Sequence, residues 1–154
     1  MSEPRVGIVL GSRSDEALLA PCTDVLDRLG VPWESLVASA HRNPVRVAEY
    51  AGGARARGLK AIIAVAGLAA ALPGAIAAHT TLPVIGVPVP AGALNGMDAL
   101  LAMAQMPRGV PVATMAIGKG GAANAALLAA SILAVEDEAL HARLETYREE
   151  WSQS

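Results

Sequence analysis

The chain contains no phenylalanine, and Trp33, Tyr50, Tyr147 and Trp151 are its only aromatic residues. Its core must therefore be built from aliphatic side chains and from alanine, the commonest residue. A single cysteine, Cys22, excludes a disulfide framework and any multi-cysteine metal site. Charge is scarce and balanced: Asp, Glu, Lys and Arg make up 17% of the 154 residues, and the formal net charge is -2. That balance excludes a general nucleic-acid binder, which needs a basic face to neutralise phosphates. With 53% hydrophobic residues the chain is not intrinsically disordered either. Met1 to Arg5 is polar and leads straight into a short apolar run, so no secretory leader is expected and the expected compartment is the cytoplasm. The length predicts one domain over residues 1–154.

The longest gap in charge runs from Ala61 to Met97, which holds no Asp, Glu, Lys or Arg, and the mean hydropathy is +0.42. Ala61 to Ala78 alone meets the length requirement for a membrane span. Gly67, Pro73 and Gly74 interrupt that run, however, and the β-branched Ile62, Ile63 and Val65 all lie at one end. The pattern predicts a buried strand, a turn and a small-residue helix, and no membrane association.

What is present is alternation. Arg5–Leu10 reads as a strand buried on both faces and stopped by Gly11. A helix capped by Ser14 or Asp15 runs to Leu29 and closes at Gly30. Strands are predicted at Val31–Ala38, Lys60–Ala66, Pro83–Val87 and Val110–Ile117. Between and after them, helices are predicted from Asn43-Pro44 to near Gly58, and at Ala69–His79, Gly96–Gln105, Ala122–Ala134 and Glu136–Trp151. Five strands alternating with helices predict an α/β fold, a doubly wound, three-layer αβα sandwich with a parallel five-stranded sheet and a C-terminal helix. A small domain this apolar is also expected to bury surface between subunits.

Ligands in such folds bind beyond the carboxyl ends of the strands. Gly11-Ser12-Arg13-Ser14-Asp15 offers backbone N–H groups and hydroxyls to an anion, and a carboxylate to ribose hydroxyls. Ser39-Ala40-His41-Arg42 combines a proton carrier with a guanidinium that clamps phosphate. Gly67-Leu68-Ala69-Ala70, the Pro88–Asn95 loop and Gly118-Lys119-Gly120-Gly121 lie at the same edge, and the last reads equally as an anion loop or a plain glycine turn. His79 at a helix end and His141 on a solvent face read as structural, and Cys22 as inert core. No ligand cluster or HExxH motif occurs, so no metal is predicted.

In five blocks the sequence resembles the PurE family of purine biosynthesis, which comprises N5-carboxyaminoimidazole ribonucleotide mutases and aminoimidazole ribonucleotide carboxylases. The blocks are Gly11–Asp15, Ser39–Pro44, Leu82–Pro88, Gln105–Val112 and Ala122–Ala130, in register from about residue 5 to residue 145. The resemblance implies a flavodoxin-like sandwich, a homo-octamer with sites near subunit contacts, a substrate of aminoimidazole, ribose and 5′-phosphate, CO2 as the transferred species, and no metal or organic cofactor. It further implies that Ser12, Asp15 and Arg42 contact the ribose phosphate, that Ser39 is a polar site residue and that His41 is the catalytic histidine. With the residues beside them at the sheet edge, the candidate substrate-binding set is Gly11, Ser12, Ser14, Asp15, Ser39, Ala40, Arg42, Gly67, Leu68, Ala69 and Leu72.

One stretch departs from the family. Where the mutases usually read Gly-Ala-Gly-Gly-Ala-Ala-His-Leu-Pro-Gly, this chain has Val65 and Leu68 in place of two glycines and Ala71 in place of the histidine. The carboxylase branch also carries Ala at the position of Ala71, whereas Arg42 and Asn43-Pro44 are mutase-like. The leading expectation is therefore the mutase. Direct carboxylation, action on another nucleotide, and a catalytically silent binding subunit are the alternatives.

Overall fold

The computed structural model describes residues 2–154; Met1, where the polar N-terminal stretch begins, lies outside the described residues. Five strands, β1 (Val6–Leu10), β2 (Trp33–Val37), β3 (Ala61–Ala66), β4 (Val84–Pro88) and β5 (Ala113–Thr114), pair in parallel in the order β2-β1-β3-β4-β5. The helices are α1 (Leu19–Arg28), α2 (Pro44–Ala54), α3 (Leu72–Ala77), α4 (Met97–Ala104), α5 (Lys119–Ala134) and α6 (Glu138–Ser152). This is the doubly wound sandwich that the alternation predicts, with the flavodoxin-like strand order that the resemblance implies.

Strand periodicity sorts the two faces, because successive side chains point to opposite sides of a sheet. Val6, Ile8 and Leu10 of β1 join Ala61, Ile63 and Val65 of β3 under α1, α5 and α6. Val9, Ile62, Ala64 and Val84 point the other way, into a second core beneath α2, α3 and α4. On α5, Ala122, Ala125, Ala126, Ala129 and Ala130 are fully buried, and these small side chains let the helix approach the sheet and α1 closely. The absence of phenylalanine is thus met by proximity instead of bulk. Asp137 caps α6 by accepting the Leu140 N–H at 3.0 Å and binds Arg5 Nη1 at 2.8 Å, tying the last helix to the start of β1.

Five elements differ from the sequence reading by three residues or more: α2 ends at Ala54 instead of near Gly58, α5 starts at Lys119 instead of Ala122, and three others have a local cause. The first predicted helix begins as a 3-10 turn over Arg13–Leu18 and becomes α-helical only at Leu19, because Pro21 lacks the N–H that an α-helix continuing from Asp15 would require. The helix predicted from Ala69 starts at Leu72, since Leu68 and Ala70 hold left-handed φ values of 55° and 45° that a helix cannot contain. β5 keeps two residues of the eight-residue run from Val110 to Ile117: it is an edge strand, and Pro111 removes a ladder donor just before it. The uncharged stretch from Ala61 divides into β3, a loop and the six-residue α3, and no helix among the described residues is long and apolar enough to cross a membrane.

Candidate active site

In the strand order 2-1-3-4-5 the direction of winding reverses between β1 and β3, which opens a crevice beyond their carboxyl ends. A cavity of about 470 Å³ occupies that crevice. Its lining includes Gly11, Ser12, Ser14, Asp15, Ser39, Ala40, His41, Arg42, Gly67, Leu68, Ala69 and Leu72, so every candidate site residue meets in one place. Ala66, Ala70, Ala71 and Ala91 complete it.

The loop after β1 supplies one polar wall. Gly11 continues the sheet by donating its N–H to the Val65 carbonyl at 2.9 Å. Ser12 caps the 3-10 turn: its Oγ accepts the Ser14 N–H at 3.3 Å and the Ser14 hydroxyl at 3.0 Å. Asp15 follows within the turn and is only 7% exposed. Burial pushes its carboxyl above the usual range, against the smaller opposing pull of a Ser12 backbone hydrogen bond and the Arg42 guanidinium.

The loop after β2 supplies the second polar wall. Ser39 Oγ accepts the backbone N–H groups of His41 and Arg42 at 3.3 and 3.2 Å, and the Asn43 N–H is donated to the Ser39 carbonyl at 2.8 Å. Pro44 then opens α2 in the first helical turn, where its missing N–H costs nothing. This local network fixes the backbone of the turn and leaves the His41 and Arg42 side chains exposed at the cavity. Ser39 therefore has a visible task in shaping the turn that carries the imidazole and guanidinium.

The remaining wall is apolar and comes from the loop after β3. Ala66, Ala69, Ala70, Ala71 and Leu72 face the cavity together with Leu68 and Ala91. Ala69 belongs to the candidate set, whereas Ala66, Ala70, Ala71 and Ala91 do not, because a methyl group carries no chemical signature; the signal that pointed to Ala69 was its position after a buried strand. The cavity thus has hydroxyls, a carboxylate, an imidazole and a guanidinium on one side and hydrocarbon on the other. Such a site can hold a phosphorylated sugar, carry a proton and shelter an uncharged species from water.

Other segments lie elsewhere. Gly118–Gly121 does not line the cavity; the Gly118 N–H is donated to the Pro88 carbonyl at 2.9 Å, and Gly121 lies where any Cβ would collide with the Ala116 carbonyl. Gly121 thus answers to packing, and Gly118 to a left-handed φ of 87°. From the Pro88–Asn95 loop only Ala91 reaches the cavity. His79 Nδ1 lies 2.8 Å from the Ala75 carbonyl at the end of α3, and exposed His141 is 3.4 Å from Glu145 on α6. Cys22 is fully buried, and desolvation pushes its thiol up to about 12. A larger cavity, about 570 Å³, opens at the amino ends of the strands beside Arg5, Arg55 and Lys60, but it contains no histidine.

Known proteins resemble this chain in sequence and in fold. The family model described as AIR carboxylase matches residues 5–154. An N5-carboxyaminoimidazole ribonucleotide mutase of Bacillus subtilis is 58% identical over 152 residues, covering 99% of this chain and 94% of that protein. One of Pseudomonas aeruginosa is 54% identical, covering 93% of this chain and 88% of that protein. The crystal structure of Treponema denticola PurE superposes with a TM-score of 0.87 at 28% identity, covering 97% of this chain and 92% of that one. On the full-length match and on this fold, the chain belongs to the AIR carboxylase, or PurE, family.

Proposed function

We propose that this chain is an N5-carboxyaminoimidazole ribonucleotide mutase in which His41 carries the proton. The observation that carries the reading is the meeting, in one cavity, of the only histidine at that sheet edge with Arg42, the Ser12–Asp15 turn and an apolar wall. Arg42 and the 3-10 turn bind the ribose phosphate, and Asp15 accepts from ribose hydroxyls.

The chemistry follows from what must move. In the substrate the carboxylate is bonded to the exocyclic nitrogen, and in the product to ring carbon C4. Cleavage of the N–C bond releases CO2, and His41 donates a proton to the nitrogen. The enamine-like C4 then attacks the carbon of CO2. His41 takes the proton from C4, which restores the aromatic ring and returns the imidazole to its starting state. Carboxylate and proton have exchanged places, so the sequence is redox-neutral and needs no electron carrier. It does need the CO2 to stay, which an alanine-lined wall favours over one bearing water-binding groups.

The catalytic unit is the whole of residues 1–154, working in the cytoplasm as a homo-octamer. Exposed Leu94, Met97 and Leu101, at 62%, 51% and 53% exposure, support packing between copies in the same region of the fold. Sedimentation analysis reads the octamer directly, and a monomer would contradict it.

The function is tested by following 4-carboxy-5-aminoimidazole ribonucleotide in the ultraviolet in two reactions. One starts from the N5-carboxylated nucleotide at low bicarbonate, and the other from aminoimidazole ribonucleotide at high bicarbonate. Fast turnover only in the first is expected. Efficient turnover at modest bicarbonate in the second would make the chain a direct carboxylase, the reading that Ala71 favours. Silence in both would exclude both activities.

A further inference from the structure

Leu68 occupies a costly position. Its φ of 55° is left-handed, a region that disfavours a leucine by about 1–2 kcal/mol and costs glycine almost nothing. Ala70, two residues on, has φ 45° in the same loop. Strain that persists beside a cavity points to a task for the residue that bears it.

The surroundings show that task. The β3–α3 loop lies along the β4–α4 loop: the Val89 N–H is donated to the Ala66 carbonyl at 3.0 Å, and a Cβ on Gly67 would stand 3.2 Å from that of Val89 and 3.5 Å from that of Ala91. Leu68 Cδ2 reaches across to Gly92, so near that a Cβ there would be 2.7 Å away. Leu68 therefore lines the cavity and at the same time bridges the two loops that form its apolar side. CO2 has no charge and no hydrogen-bond donor, so charged groups hold it weakly and its retention depends on how completely the walls close.

We propose that Leu68 is a positioning residue whose side chain closes the cavity against the β4–α4 loop at Gly92 and so keeps released CO2 beside the ring. This inference rests on the mutase reading. It adds that the leucine at this strained position is a working part of the site.

The test uses the full chain and its Leu68→Ala and Leu68→Gly variants. Each turns over the N5-carboxylated nucleotide in 13C-labelled bicarbonate, with carbonic anhydrase present to equilibrate CO2. Two quantities are read by mass spectrometry and chromatography: label in the carboxylated product, and free aminoimidazole ribonucleotide released per product formed. Both should rise roughly tenfold in both variants, because the reacting carbon is no longer held in place. Melting temperatures are read alongside, and neither variant should melt well below the parent, since Leu68 is 55% exposed and glycine relieves its backbone strain. Unchanged label and release in both variants would overturn the proposal, as would a change in Leu68→Gly alone, which would locate the effect in the backbone. An unmodified chain that forms no product would instead remove the mutase reading itself.

Discussion

Replacing Asp15 by Asn separates what the site needs from what the fold prefers. The carboxyl is 7% exposed, and its burial raises its pKa above the ordinary 3.8 despite the opposing pull of the Ser12 backbone and Arg42. Between the unfolded and folded pKa values the native state binds more protons than the unfolded chain. Stability therefore falls as pH rises through that window, and above it the buried carboxylate costs stability. Asn has nearly the same shape and does not titrate. Asp15→Asn is expected to be more stable than the parent at pH 7, with the difference shrinking as pH falls through the folded pKa of Asp15. Activity should move the opposite way. A hydrogen bond to a charged group contributes about 1.5–3 kcal/mol, so losing the carboxylate should lower kcat/KM roughly 10- to 150-fold. Urea denaturation at several pH values and steady-state kinetics read the two effects. An Asn variant that is less stable at pH 7, or that keeps full activity, would refute the reasoning.

Arg42→Ala should weaken binding of the phosphorylated nucleotide by roughly tenfold, the lower end for a charged hydrogen bond because the side chain is exposed, and should leave the unphosphorylated nucleoside unaffected in calorimetry. Ala126→Leu forces bulk into the fully buried face of α5 and should cost about 1–3 kcal/mol, read as a lower urea midpoint at unchanged slope. Cys22, with its thiol pushed up to about 12, should resist a thiol-disulfide reagent at pH 8 in the native protein and react promptly in denaturant.

Much of this architecture was legible because its signals are periodic. The uninterrupted apolar runs at Val6–Leu10 and Ala61–Ala66 read as doubly covered strands, and the segments following them collect at one edge whatever their detailed conformation. Hence Ser12, Asp15, His41 and Arg42 meet where the sequence places them. The misses have local causes. Ala69 to Ala71 reads as the start of a helix because alanine favours helices, while the contact of the preceding residues with the β4–α4 loop, invisible in a single sequence, goes with the left-handed turn found there. The eight-residue run ending at Ile117 has strand composition, yet its place at the sheet edge and Pro111 leave two paired residues. Gly118–Gly121 reads in sequence equally as an anion loop or a glycine turn, and a neighbouring carbonyl explains Gly121. Side-chain chemistry announces itself in a sequence, and close approach of backbones does not.

The central claim, that His41 moves the proton between nitrogen and C4, is tested most directly with His41→Asn, which keeps a polar side chain at the cavity and removes the titrating ring. Single-turnover conversion of the N5-carboxylated nucleotide and calorimetric binding of the product are measured on the same preparation. The account predicts a rate lower by roughly 100- to 10,000-fold with affinity almost unchanged. A variant that turns over at near the parent rate, or that loses activity only in proportion to lost binding, would contradict it.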